Sequence, residues 1–469
     1  MVMGEMTLET DVVVIGGGPG GYVAAIRAAD LGLDVILVEE REKLGGVCLI
    51  EGCIPSKTLI HAVEMIDGLQ SAKKIGLSYT GLKIDLDKLR KWTQSVVDTL
   101  TKGVDTLLTK RDVEIVRGHA HFESNKLLHV DGANTYIEFK HAIIATGSVL
   151  NELPEGYDQS VWSSTDALNI PEVPDKLLVV GGGYIGLEMG LVYAGLGSKI
   201  TMVEFMPNLL AGADQDLVRV VVKHCKKKFE SILTGSKVLN VNKLDKGFQV
   251  DIEHDDQVIT KEFDQVMVAI GRKPNTSGLG LENTSIETDE RGFIPTNEEG
   301  RTSEKTIFAI GDITHGPALA HKASREGKIA AEVIANHPSA FDNRAVPAVV
   351  FTHPEIAWTG LTEREAEEKN IKYKVGRFPL TALGRARSIG QTDGFVKILS
   401  NPDNNLVLGV GIVGPVASEL IAEGTLAIEM GATLEDLIVS IHPHPTMSEA
   451  IMEAAEVAAG EPIHILPQK

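Results

Sequence analysis

The chain has 469 residues, 43% hydrophobic, with 47 glycines, and its 65 acidic against 45 basic side chains give a formal charge of −20. That length exceeds one ordinary core and predicts several α/β domains, while the negative field excludes nucleic-acid binding, which needs a basic stripe, but would attract a basic protein partner. Three cysteines, two of them in one short motif, do not make a secreted disulfide framework, and neither a secretory signal nor an uncharged apolar run of transmembrane length is visible. A cytoplasmic protein with no membrane partner is expected.

Asp11 to Glu40 reads as one βαβ unit. Val12 to Ile15 is a buried strand, and Gly16-Gly17-Gly18-Pro19-Gly20-Gly21 places a G-x-G-x-x-G pattern on Gly16, Gly18 and Gly21. An alanine-rich helix follows through Ala29, then a strand from Leu33 to Val38 ending at Glu39. Gly16 allows the tight turn, Gly18 lets backbone approach a pyrophosphate, and Gly21 lets helix and strand pack closely. The phosphates would sit at the helix N-terminus, with Glu39 on a ribose hydroxyl.

The next stretch, Leu44 to Lys57, holds Cys48 and Cys53 in a glycine-bracketed frame. Closing so short a loop gains little chain entropy, so a stabilising disulfide is a poor explanation. A redox dithiol working by thiol–disulfide exchange is the better one. The apolar run around and after the pair predicts a helix, whose N-terminus together with Lys57 would lower a thiol pKa. Two buried free thiols, or a metal half-site, are the other readings; the nearest extra ligand, His61, has no obvious companions.

Residues 71–110 read as an amphipathic helical scaffold, and Val113 to Phe139 as short strands turning at Asp131-Gly132. His141 to Ser148 returns as an apolar strand closing on Thr146 and Gly147. The dinucleotide unit then recurs. A shift of 165 residues carries Gly16, Gly18, Gly21, Gly32 and Glu39 onto Gly181, Gly183, Gly186, Gly197 and Glu204. Two fingerprints mean two dinucleotides, and electrons passing between them. An acid ending each second strand favours a free 2′-hydroxyl, which suits FAD at one site and NAD at the other.

Val266 to Arg272 mirrors the first strand return, closing on Gly271. Thr306 to Asp312 is a strand ending in Gly311-Asp312, whose carboxylate could accept a cofactor's ribityl hydroxyls or merely cap the strand. Residues 323–335 are predicted helical. From Val346 the texture changes to a separate C-terminal domain containing His442-Pro443-His444-Pro445-Thr446-Met447-Ser448-Glu449. Two prolines forbid a regular helix there. His444 with an acid five residues on suits a general base oriented by a carboxylate; a solvated turn is the plainer reading.

The motifs GGGPGG, GGVCLIEGCIPSK, GGGYIGLE, AIGRKPN, TIFAIGDI and HPHPTMSE stand in one order. That combination resembles the flavin-dependent pyridine nucleotide–disulfide oxidoreductases over essentially the whole chain, and among them the dihydrolipoamide dehydrogenases. The resemblance implies an α/β homodimer with two Rossmann-like dinucleotide-binding domains, a central domain and a C-terminal α+β dimerisation domain. The expected boundaries are 1–150 for FAD and the redox disulfide, 151–275 for NAD, 276–345 for the central domain and 346–469 for the interface. It further implies Cys48 as the interchange thiol, Cys53 as the thiol beside the flavin, His444 as the base oriented by Glu449, Lys57 paired with Glu188 near the flavin, and Asp312 on the ribityl chain. Dihydrolipoamide oxidation with FAD and NAD is the implied activity. The implied partners are the lipoyl and peripheral-subunit-binding domains of an acyltransferase core, since no lipoyl-like domain precedes the first strand. Reduction of another, low-molecular-weight disulfide by NAD(P)H, or a chiefly structural role, are the competing expectations. Two residues depart from the family pattern: Glu51 inside the cysteine bracket, where a carboxylate facing the sulfurs would oppose thiolate formation, and Pro443 beside the base.

Overall fold

The computed structural model describes residues 6–467. Its chain divides into two compact units, one of residues 1–59, 85–152 and 271–342, the other of residues 60–84, 153–270 and 343–469.

The first unit is built on a seven-stranded sheet. Met6–Ile15 lies between two parallel neighbours, Val35–Glu39 and Thr135–Ile144. Val12, Val13 and Val14 are wholly buried, because a central parallel strand is covered on both faces and reads as a continuous apolar run. The helix Pro19–Asp30 makes the crossover, with proline in its first turn and buried Ala24, Ala25 and Ala28 on its inner face. The hairpin of His119–Ser124 and Leu127–Asp131 continues the sheet on the far side of Thr135–Ile144 in antiparallel fashion. Ile307–Ala309 pairs in parallel with Ala142 to Ile144. The stretch expected as the central domain that completes the FAD site contributes this strand to the first sheet, where its apolar Ile307, Phe308 and Ala309 are buried. Ser148–Leu150 and Arg272–Pro274, the ends of the two strand returns, pair with each other.

The second unit repeats the plan. Ser231–Thr234, Lys199–Glu204, Lys176–Val180, Gln265–Val268 and Trp162–Ser163 form a five-stranded parallel sheet in that order. Tyr184–Leu196 is its first crossover helix, buried on nearly every side. A three-stranded antiparallel sheet follows over residues 237–263. The C-terminal part is a five-stranded antiparallel sheet, with Val407–Gly414 between Glu355–Gly360 and Phe395–Ser400. The helices Ala417–Met430 and Glu449–Ala459 share its core through residues such as Ile421, Ile428, Ile451 and Ala454. The mixed α/β class expected from the motifs is the class observed.

Of the scaffold stretch, Leu86–Thr109 is one helix with Asp85 as N-cap, its carboxylate accepting the Lys88 N–H. Among the described residues one helical stretch, Gly46–Ile75, is long and apolar enough by composition to cross a membrane. It carries Glu51 and Lys57, breaks at Gly52 and holds both cysteines of the dithiol.

Candidate active site

The two dinucleotide turns are superposable in their chemistry. Gly16 and Gly181 have φ of 102° and 110°, a region that favours glycine. A Cβ on Gly21 would sit 1.8 Å from the Gly16 carbonyl oxygen, and one on Gly186 2.0 Å from that of Gly181. Only glycine lets each helix start that close to its strand. At Gly183 a Cβ would meet nothing within 4 Å, and at Gly18 its nearest neighbour would be the Gly46 Cα at 3.8 Å. Each middle glycine therefore borders open space at a helix N-terminus, the place a pyrophosphate occupies.

The acids that end the second strands are tied to these turns. Glu39 accepts the Gly17 N–H at 2.8 Å and the Arg41 N–H at 2.9 Å. Glu204, 165 residues on, accepts the N–H groups of Gly182 and Met206. The carboxylates expected on the ribose thus also brace the glycine loops, and each oxygen keeps further acceptor capacity. Sequence spacing alone did not reveal this second job.

The dithiol starts against the first turn. The Gly45 N–H donates to the Gly17 carbonyl at 2.8 Å, and a Cβ on Gly46 would come within 2.7 Å of the Gly18 Cα. From that contact the short helix Gly46–Glu51 carries Cys48, and Cys53 opens the helix Cys53–Ala72. The two cysteines are in the dithiol form. Cys48 is half-buried and Cys53 exposed, the reverse of the accessibility expected for an interchange thiol. The Cys48 thiol is pushed well above its ordinary pKa, first by its hydrogen bond to Cys53, then by burial; Lys57 pulls the other way. The expected lowering by Lys57 is therefore present but outweighed, because paired thiols hold one shared proton tightly. The Glu51 carboxylate is held by the Arg41 guanidinium at 2.7 Å, which offsets its charge. The third cysteine, Cys225, is fully buried and its thiol is pushed up to about 12 by burial.

Asp312 lies in the turn Gly311–Ile313 just past the last strand of the first sheet. It accepts the Ser148 hydroxyl at 2.7 Å, and that hydroxyl oxygen accepts the Arg272 Nε–H at 2.9 Å. Gly147 and Gly271, flanking the two-stranded pair, have φ of 72° and 102°. Asn275 ties these loops, its N–H donating to the Gly147 carbonyl at 2.9 Å. The turn itself is held from below by Glu326, which accepts the Gly311 N–H at 2.7 Å and pairs with buried Lys322 at 2.7 Å. Nothing in the sequence pattern singled out Ser148, Lys322 or Glu326.

In the second unit, buried Glu188 accepts the Phe351 N–H at 3.0 Å. His444 Nδ1 stands 2.8 Å from Glu449 Oε1, and Glu449 Oε2 accepts the Thr446 N–H at 2.8 Å. Glu449 is the first residue of the helix Glu449–Ala459, so the dipole also favours its charge. Burial alone would raise its pKa; the Thr446 N–H and the His444 imidazole overcome that and leave it lowered. His442, two residues away, is committed elsewhere: Nε2 is 2.7 Å from Glu423, and Nδ1 2.9 Å from the Ser440 carbonyl.

The profile described as pyridine nucleotide-disulphide oxidoreductase matches residues 10–327, and that of the family's dimerisation domain matches residues 346–455. The chain belongs to this family. Its oxidoreductase relatives include a dihydrolipoyl dehydrogenase of Geobacillus stearothermophilus, 47% identical over 99% of this chain and 100% of that protein. Another, named dihydrolipoyl dehydrogenase 2, from Haloarcula marismortui, is 44% identical over 99% of this chain and all of its own length. Among solved structures, the HOCl-induced flavoprotein disulfide reductase RclA of Escherichia coli superposes with a TM-score of 0.84 at 27% identity, covering 94% of this chain and 98% of that one. The oxidoreductase's dimerisation domain supports a homodimer. Exposed Leu426, Met430, Val439 and Ile441 leave apolar surface there for a second copy. The two family cofactors, FAD and NAD, fit the two braced glycine turns, whose middle glycines leave room where a side chain would intrude.

Proposed function

We propose that the protein oxidises protein-bound dihydrolipoamide to lipoamide and reduces NAD+ to NADH. The observation that supports this most is the seating of the dithiol helix on the first glycine turn, in a chain that also carries the His444–Glu449 pair. We assign FAD to Gly16, Gly18, Gly21, Glu39, Gly147 and Asp312, with Gly271 and Lys57 alongside. Glu188 goes with Lys57 near the flavin, and NAD goes to Gly181, Gly183, Gly186 and Glu204. FAD held in its site would supply the two-electron relay between the reduced dithiol and NAD+.

The chain's own residues handle sulfur and proton. Glu449 accepts the His444 Nδ1–H, which fixes the tautomer and leaves the Nε2 lone pair facing solvent on a largely exposed ring. That nitrogen takes the proton of one substrate thiol. The resulting thiolate attacks Cys48 Sγ in the oxidised pair, the Cys48–Cys53 bond breaks, and Cys53 leaves as thiolate. The second substrate sulfur then attacks the first, closing the lipoamide ring and releasing Cys48, while two electrons have moved from substrate to dithiol. Lys57 supplies a positive charge near Cys48 that favours the departing sulfur's anion.

The acidic surface, the homodimer and the relatives' names together support service in a cytoplasmic 2-oxoacid dehydrogenase complex. Its partners there are the lipoyl and basic peripheral-subunit-binding domains of an acyltransferase core. Steady-state kinetics with dihydrolipoamide and NAD+ tests the reading. A higher kcat/KM for NADPH-driven reduction of a low-molecular-weight disulfide would replace it.

A further inference from the structure

The hairpin of His119–Ser124 and Leu127–Asp131 alternates strictly. Ala120, Phe122, Leu128 and Val130 point inward and are almost wholly buried in the core of the first sheet. The period of two then places His121, Glu123, His129 and Asp131 together on the outer face. His121 and His129 are direct cross-strand partners, with ring centroids 5.1 Å apart. One ligand atom from each of His121, Glu123 and His129 lies within 4.8 Å of the others. His121 Nε2 is 3.1 Å from Glu123 Oε1, close to the roughly 3.3 Å that separates two ligands of a tetrahedral ion with bonds of about 2.0–2.1 Å.

The Asp131 carboxylate supplies the second layer. Its two oxygens stand 3.5 Å from His121 Nδ1 and 3.3 Å from His129 Nδ1. A carboxylate beside both Nδ1 atoms favours the tautomer that presents Nε2 as a metal ligand. The Tyr136 ring, 4.7 Å from that of His129, fixes the second imidazole from the next strand. Two imidazoles and a carboxylate suit a borderline divalent cation better than Ca2+ or Mg2+, which take oxygen ligands.

We propose that His121, His129 and Glu123 form a binding site for a divalent transition-metal cation of the Zn2+ type, oriented by Asp131 and completed by water. Three protein ligands leave one position for solvent. None of these residues belongs to the glycine turns, the dithiol or the His444–Glu449 pair.

The test is Zn2+ titration by calorimetry and equilibrium dialysis on the oxidised holoenzyme, in which Cys48 and Cys53 are joined and cannot ligate. One Zn2+ per chain is expected at pH 7.5. The double variant His121→Gln/His129→Gln should lose this saturable event while keeping FAD content and lipoamide turnover. Asp131→Asn, which leaves all three ligands in place, should weaken binding by about 10–100-fold. Unchanged stoichiometry and affinity in the double variant, or no saturable binding by the wild type, overturns the site. If the double variant misfolds, Glu123→Gln and Asp131→Asn decide: both retaining wild-type affinity overturns it equally.

Discussion

His444 Nδ1 and Glu449 Oε1 lie 2.8 Å apart, across a proline-bracketed turn that ends where the helix Glu449–Ala459 begins. The helix start and the Thr446 N–H hold the carboxylate, and the carboxylate holds the imidazole. A base of this kind contributes about 10²–10⁴-fold to a proton transfer. His444→Gln should therefore cut lipoamide turnover within that range, and Glu449→Gln by less, since it disturbs only the ring's tautomer and angle. NADH oxidation by an artificial acceptor, which bypasses the disulfide, should survive both changes. Equal losses in the two reactions would show that the pair supports structure rather than proton transfer.

Cys48 and His444 belong to different units of the chain, and we expect His444 of one subunit to serve Cys48 of the other. Mixing inactive Cys48→Ser and His444→Gln subunits tests this. An exchanged heterodimer with a shared site carries one doubly damaged and one intact centre, so about half the wild-type activity per heterodimer should return. Proven exchange without recovery would place both residues of each site in one chain.

Glu204 should govern the choice of nicotinamide cofactor. A 2′-phosphate brought beside its carboxylate sets like charges together, at a cost of several kcal/mol. In Glu204→Ala the ratio of kcat/KM for NAD to that for NADP should fall at least about tenfold. Because Glu204 also accepts the Gly182 and Met206 N–H groups, KM for NAD should rise in the same variant. An undiminished preference for NAD would remove Glu204 from the ribose site.

The thiols should differ in reactivity, and in an order that depends on the flavin. Cys53 is the exposed sulfur of the chain by itself, whereas Cys48 is half-buried with its thiol proton held tightly. Alkylation of reduced, flavin-stripped protein should thus mark Cys53 first. In the reduced holoenzyme, with Cys53 against the flavin, Cys48 should lead. Peptide mapping decides it, and buried Cys225 should stay unmodified in both.

Lys397 should make stability depend on pH at the alkaline end. Its Nζ lies 2.6 Å from Asp214, 2.8 Å from Asp216 and 2.7 Å from Glu363, with the side chain buried. Burial alone would lower its pKa, but hydrogen bonds to the three carboxylates leave it raised above the ordinary 10.5. A raised folded pKa contributes stability that is fully present below pH 10.5 and lost as the pH climbs through the folded value. Lys397→Met strands three carboxylates and should cost about 3–5 kcal/mol at pH 7 in urea melts. That deficit should shrink above pH 10.5. A deficit independent of pH would trace the loss to packing.

Local chemistry decided what could be read from the residues in order. A positive-φ glycine, a close helix–strand approach and an acid at the next strand's end all arise within one βαβ unit. Gly16, Gly21 and Glu39, and their counterparts Gly181, Gly186 and Glu204, were legible for that reason. His444 with Glu449 was legible too, because five residues separate them. Long-range pairing was not. The placement of Ile307–Ala309 in the first sheet depends on Thr135–Ile144, far away in sequence. So does the chain of hydrogen bonds from Arg272 through Ser148 to Asp312. Periodicity marks which face of a strand is buried, but not which strand lies beside it. Only the tertiary fold could set His121 opposite His129 with Asp131 beside both, seat Gly46 on Gly18, and pair Glu51 with Arg41. Each is a contact between side chains or backbones that register and crossover bring together, and a linear pattern carries no information about register.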